Sequence, residues 1–99
     1  MGADADVLAR ARELDIGGAI ALLEKAVEEG GETAEIAKML ARLSLEIDEV
    51  RAFQSWCHEA LRMNPRDTEV YLMLAAYFRA NGRDWEAEEV EEIARGVEG

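Results

Sequence analysis

The chain has 99 residues, of which 49% are hydrophobic and 33% are charged, and 22 acidic against 11 basic side chains give a net charge of −11. This composition excludes a disordered chain, because a sequence of this length can bury a core without disulfides or metal ions. The negative charge repels phosphate, so we expect no direct binding of nucleic acid. A basic peptide or protein surface suits this charge better, although an acidic balance also simply favours solubility.

Targeting signals are not evident in the sequence. No apolar run approaches the roughly 20 residues that a membrane span needs. Residues 1–6 are small and acidic, whereas a secretory signal begins with basic residues and an apolar stretch. The single Cys57 cannot form an internal disulfide, which suits a reducing compartment. We therefore expect a cytoplasmic protein without a membrane partner.

The first half of the chain predicts three helices. Asp4 or Asp6 can cap a short first helix, and Gly17 and Gly18 mark the turn into a second helix that ends at 30–31, where two glycines follow. The third helix runs from about Thr33. Apolar residues at three- and four-residue spacing define the buried faces of these helices: Val7, Leu8, Ala11 and Leu14; Ile16, Ala19, Ile20, Leu22, Leu23, Ala26 and Val27; Ile36, Met39, Leu40, Leu43 and Ile47.

Three further helices follow. We expect Asp48 to cap the fourth, which stops at Asn64 because the residue before a proline avoids the helical region. Asp67 or Thr68 opens the fifth, whose centre at 70–78 is apolar throughout and therefore too broad for one buried stripe. The sixth begins at Asp84. The apolar positions of the fourth helix are expected in the core: Val50, Phe53, Trp56, Cys57, Ala60 and Leu61. The same is expected of those of the sixth: Trp85, Ala87, Val90, Ile93, Ala94 and Val97.

Residues recur along the chain at a fixed spacing. Ala26, Ala60 and Ala94 lie 34 residues apart, from 26 to 60 and from 60 to 94. The same spacing joins other pairs: Leu40 with Leu74, and Ala41 with Ala75. A period of this size is typical of stacked helical hairpins, and short connections force consecutive helices to run antiparallel. We predict an all-α, right-handed stack of about three hairpins in one domain over 1–99, with repeats at roughly 1–33, 34–67 and 68–99.

These repeats resemble the tetratricopeptide repeat family, whose unit is a 34-residue helix-turn-helix. The segments 15–20 and 24–27 resemble the second helix of such a repeat, and 59–65 resembles its closing segment. One complete repeat is matched by six residues: Tyr71, Leu74, Ala75, Phe78, Gly82 and Ala87. The middle repeat departs from the pattern, since Asp48 stands where the family prefers glycine. The first helix fits poorly, which suggests a cap.

The resemblance implies peptide binding on the concave face formed by the first helix of each hairpin. Carried over by position, the candidate groove residues are Lys38, Met39, Arg42, Leu45, Leu72, Ala76 and Arg79. Their basic members, Lys38, Arg42 and Arg79, form a cluster that can hold a carboxylate, although the asparagines of the family's carboxylate clamp are missing. The apolar members can receive an amphipathic helix. The competing interpretation is that the charges are simply solvated and the apolar residues belong to the core.

We therefore expect a protein–protein interaction adaptor or a small chaperone-like subunit, whose partner is a peptide or helix of another protein. One alternative is a pentatricopeptide-like accessory module of an RNA-processing complex, because 70–74 with Gly82 and Arg83 also resembles that family. Another is an engineered repeat scaffold without a native partner. Self-association as a homodimer through the fifth or sixth helix is a further expectation. The glutamates of the last helix predict either a solvated outer face or a docking strip for a basic partner.

Catalytic and metal-binding patterns are not found in the sequence. Cys57 and His58 are adjacent, so on a helix their side chains point about 100° apart and do not make a catalytic pair. One cysteine and one histidine are too few for a structural zinc site. We expect no catalytic residue, no metal and no cofactor, and hence not an enzyme.

Overall fold

Six helices joined by short connections make up residues 3–98, the part of the chain that this computed structural model describes. They are α1 (Ala3–Glu13), α2 (Ile16–Glu28), α3 (Ala34–Glu46), α4 (Val50–Met63), α5 (Thr68–Ala80) and α6 (Asp84–Glu98). This range contains no β-strand, which confirms the predicted all-α fold. None of its helices combines the length and the apolar character needed to cross a membrane.

The helices pack as neighbouring pairs, α1 with α2, α3 with α4, and α5 with α6, as predicted for helical hairpins. The chain divides into two units between Met63 and Asn64. In the first unit α2 contacts α3, and α1 also contacts α3, so the first two hairpins share one core. The second unit is the hairpin of α5 and α6. A single domain over 1–99 and a right-handed stack stay predictions.

The core of the first unit joins α1, α2 and α3. Its buried cluster is Ala11, Ala19, Leu23, Ile36 and Leu40. Trp56 of α4 packs against this cluster, as expected for an aromatic residue on the apolar stripe of its helix. Leucine and isoleucine fill the interior, and small alanines allow the helices to approach closely. This core is what fixes α1 and α3 side by side.

The second unit has a smaller interior. Its buried apolar residues are Val70, Ala75, Ala87 and Ala94. The alanines at 60 and 94, one period apart, are both buried, as are those at 41 and 75. The expectation that Trp85 and Ile93 belong to the core was wrong, because their side chains are 74% and 51% exposed. The helical period places Trp85 on the side of α6 away from the buried alanines, so no core is within its reach.

Three helices end in the same backbone turn. The residue after the C-cap has a positive φ at Gly30, Asp48 and Gly82. In each turn the next N–H donates back to the carbonyl five residues earlier, as in Gly31 to Ala26 at 2.8 Å. The equivalent bonds of the other two turns join Glu49 to Ser44 and Arg83 to Phe78. This is the Schellman motif, in which glycine is preferred because it has no side chain to clash.

Asp48 therefore ends α3 and does not cap α4, which corrects the sequence-based expectation. It lies one 34-residue period before Gly82 and has the same left-handed backbone. The middle repeat thus has aspartate where the family prefers glycine, but the backbone makes the same turn. An aspartate tolerates this conformation better than most residues, although at some cost.

Two further expectations about helix starts were wrong. α1 begins at Ala3, so Asp4 and Asp6 lie inside its first turns and are not at its N-cap. Gly17 and Gly18 are helical residues of α2, not the turn before it. Asp15 is the N-cap, and its carboxylate accepts a hydrogen bond of 2.7 Å from the Gly18 N–H. Gly18 leaves space for this hydrogen bond, since a Cβ at this position would lie 3.0 Å from the carboxylate oxygen.

Candidate functional site: a groove between α1 and α3

A groove of about 80 Å³ lies between α1 and α3 in the first unit. These are the first helices of two successive hairpins, and their contact defines the two walls. The residues that line it come from both helices: Leu8, Arg12, Glu35, Lys38, Met39, Arg42 and Leu43. The groove therefore combines an apolar part and a charged part.

Its floor is apolar. Leu8, Met39 and Leu43 are partly buried and pack against the core cluster of the first unit. Because they also line the groove, each shows part of its surface to an incoming group. An apolar side chain placed here would remove surface from water on both partners, which is the main source of binding free energy at such contacts.

Its rim is basic. Arg12 and Arg42 are exposed, whereas the side chain of Lys38 is only 10% exposed. The Lys38 Nζ lies 3.8 Å from the Glu35 Oε1, so the long aliphatic stem is covered while the ammonium stays beside a carboxylate at the edge. Three cations and one carboxylate line the groove in a protein whose net charge is −11.

This arrangement suits an anionic group with an apolar neighbour. Arginine offers a planar set of N–H donors that matches a carboxylate, and the partly buried lysine places its charge where water screens it less. A volume of about 80 Å³ admits one such group and does not enclose a larger ligand. A longer partner would lie along the two helices and insert a single side chain or a chain terminus.

The structure brings three of the seven predicted site residues together. Lys38, Met39 and Arg42 line the groove. Leu45 is half-buried on α3 and does not line it. The other three lie on α5 in the second unit: Leu72, which is 50% exposed, Ala76 and Arg79, which are also exposed. A groove that joins both sets of residues stays a prediction.

Arg79 is engaged within its own unit. Its guanidinium donates to both carboxylate oxygens of Glu91 on α6, and this hydrogen bonding raises the pKa of Arg79. In the first unit Arg12 lies beside Lys38 and Arg42. A cluster that also includes Arg79 stays a prediction.

Sequence reasoning missed Leu8 and Arg12. Both lie on α1, which fits the repeat pattern poorly and was interpreted as a cap. A usable signal was present, because residues four apart share one face of a helix. In addition, the connections between α1 and α2 and between α2 and α3 are short, and α3 lies beside α1. The face with Leu8 and Arg12 was therefore the natural partner of α3.

Two other kinds of site, a reactive thiol and a metal centre, can be assessed from the described residues. Cys57 is buried, and desolvation raises the pKa of its thiol to about 12, so it stays protonated and unreactive at neutral pH. No group of three or more His, Cys, Asp or Glu residues in the described part of the chain is arranged to hold a metal ion.

Comparisons with protein-family models, with curated proteins and with solved structures found no match for this chain. The resemblance to tetratricopeptide repeats therefore rests on the residues quoted above alone.

Proposed function

We propose that this protein is a cytoplasmic protein–protein interaction adaptor or small chaperone-like subunit that captures an acidic peptide or helix in the groove between α1 and α3. The observation that carries the proposal is the collection of Arg12, Lys38 and Arg42 around an apolar floor in a strongly acidic protein. If the eleven basic side chains were scattered at random among the twenty-two acidic ones, we would not expect three of them to line one cavity.

The binding mechanism has two parts. An apolar side chain of the partner packs on Leu8, Met39 and Leu43, and an adjacent carboxylate accepts hydrogen bonds from the arginines. The surrounding negative charge of the protein opposes the approach of a very acidic partner. We therefore expect a segment with one or two carboxylates beside an apolar residue, rather than a long acidic tract.

The first test is affinity capture from nuclease-treated lysate. The wild type is compared with an Arg12→Glu, Arg42→Glu double variant and with a matched Arg10→Glu, Arg51→Glu control, which reverses two exposed charges outside the groove. We expect a protein partner that the control retains and the groove variant loses. Equal retention by both variants contradicts the proposal. A partner that is captured only when the nuclease treatment is omitted would favour the RNA-processing alternative.

The second test concerns the chemistry of the captured segment. A synthetic peptide of that segment is compared with the same peptide carrying amides in place of its carboxylates, and binding is measured by calorimetry. We expect the amide peptide to bind at least about tenfold more weakly, as for loss of a charge-assisted contact. Equal affinity would show that the basic rim does not recognise the partner.

A further inference from the structure

The outward side of α6 carries an exposed tryptophan surrounded by carboxylates. We name this surface the α6 outer face and define it by Trp85, Glu88, Glu89, Glu92 and Ile93, all of which are exposed. With 100° of rotation per residue, the first four lie within about 60° of Trp85, on the side opposite the buried alanines of α6. The face is thus a continuous strip along the helix.

Trp85 lies outside the buried core of the second unit. Its side chain is 74% exposed, and Ile93 on the flank of the same strip is 51% exposed. A large aromatic side chain gains free energy when it is removed from water, and tryptophan is enriched at the centre of protein interfaces. A helix face that contacts only water needs only polar residues. The strip therefore has the composition of a contact surface.

A concavity of about 470 Å³ lies beside Trp85. The pair of Arg79 and Glu91, which ties α5 to α6, forms part of its lining. The remaining lining residues are Trp85, Glu88, Glu89, Glu92 and Arg95. This volume accommodates side chains that project from a docked helix, with the tryptophan ring as one wall.

The charges around the tryptophan select the partner. Glu88, Glu89 and Glu92 form no salt bridge within the described part of the chain. Glu88 is near enough to Arg79 to contribute to its raised pKa, and Arg95 also lines the concavity, so carboxylates outnumber cations there. They lie at three- and four-residue spacing, so lysine or arginine residues at helical spacing on a partner can face them. A second copy of this chain fits badly, because pairing two α6 outer faces would bring two sets of glutamates together in molecules that each carry −11.

We propose that the α6 outer face docks a basic amphipathic helix of another protein. An apolar side chain of that helix packs on Trp85 and Ile93, and its lysines or arginines pair with the three glutamates. An arginine can also stack on the indole ring. This surface lies in the second unit and uses none of the residues of the α1–α3 groove, so the inference is independent of the proposed function.

The experiment uses a dye-labelled helical peptide with a leucine stripe flanked by lysines, and anisotropy reports its binding to the full chain. Three variants are compared with the wild type: Trp85→Ala; Glu88→Lys, Glu89→Lys, Glu92→Lys; and a matched control, Glu24→Lys, Glu28→Lys, Glu46→Lys, which changes three exposed glutamates of the first unit. All of the changed side chains are exposed, so we expect the variants to keep the helical circular dichroism of the wild type.

We expect the tryptophan variant and the α6 charge variant each to weaken binding by about tenfold or more, and the control to change it less than about twofold. Equal weakening by both charge variants would show general attraction to an acidic protein and would overturn the proposal. Sedimentation completes the test. A wild-type dimer that Trp85→Ala abolishes would identify a second copy as the occupant and would also overturn it.

Discussion

Cys57 packs in the core as a small apolar side chain, and the reactivity of its thiol is not used. It lies one 34-residue period after Leu23, and both side chains are buried in the first unit. The thiol thus replaces a leucine as a small apolar group. The protonated thiol is neutral and is buried readily, whereas a thiolate would have to leave water, so burial raises the pKa of Cys57 to about 12.

We predict that this residue makes stability fall in alkaline solution. From about pH 9 the thiol ionises in the unfolded chain but stays protonated in the folded one, so the unfolded state binds fewer protons and the free energy of unfolding decreases as pH rises towards 12. Below pH 9 the contribution is fully present. By pH 10.5, which lies about 1.5 units above the ordinary thiol pKa of 9.0, the loss amounts to about 2 kcal/mol.

The measurement is the urea midpoint of the wild type and of Cys57→Ala at pH 8 and pH 10.5. The alanine variant begins less stable, because it leaves a small cavity, but it has no thiol to ionise. We expect its stability to fall less over this interval. A parallel fall in both proteins would show that the thiol does not contribute to the pH dependence.

At the scale of the helices, the turns after α2, α3 and α5 share one geometry with two glycines and one aspartate. We predict that Asp48→Gly stabilises the protein by about 0.5–1 kcal/mol. The left-handed conformation costs an L-residue roughly 1–2 kcal/mol, which glycine avoids. Relief of this strain exceeds the conformational entropy that glycine adds to the unfolded chain. Thermal unfolding followed by circular dichroism measures the change.

The matched control is the reverse substitution one period later. Gly82→Asp introduces the same strain into the turn after α5 and should lower stability by a similar amount. If Asp48→Gly is neutral or destabilising while Gly82→Asp is harmful, the aspartate at 48 has a stabilising role that the turn geometry does not explain.

The existence and order of the helices followed from apolar spacing, glycine and proline, because these act locally. The starts were less predictable. Asp48 and Asp15 are both acidic residues in connections, yet one ends a helix and the other begins one, depending on how the chain around them turns. The residue type of Gly17 and Gly18 predicts a turn, whereas they form the first turn of α2, which the Asp15 N-cap closes through its bond to the Gly18 N–H.

At the scale of the molecule, the first unit contains a complete core and the second is a single hairpin. We predict that a peptide of residues 1–63 folds with a cooperative thermal transition, and that a peptide of residues 64–99 does not, because so short a chain buries too little surface to offset its conformational entropy. Circular dichroism of the two peptides tests this. A cooperative transition in the shorter peptide would contradict it.

The two candidate surfaces were harder to foresee than the fold, for a reason that concerns the whole molecule. Arg12 joins Lys38 and Arg42 only because α1 and α3 lie side by side, a contact between residues far apart in the sequence. Trp85 and Trp56 are both tryptophans in the second helix of a hairpin, but only Trp56 meets a core. Apolar spacing shows which residues favour burial, whereas the neighbouring elements decide which of them achieve it.

The division of the chain gives each unit one tryptophan, Trp56 against the core of the first and Trp85 exposed in the second. The protein therefore carries two tryptophan fluorophores that report on separate parts of it, while Tyr71 and Tyr77 both lie in the second unit. The exposed indole of Trp85 emits at longer wavelength, as in water. The three glutamates beside it attract a cationic quencher such as caesium and repel iodide. In a Trp56→Phe variant, tryptophan fluorescence would come from Trp85 alone and would report on the second unit without an attached label.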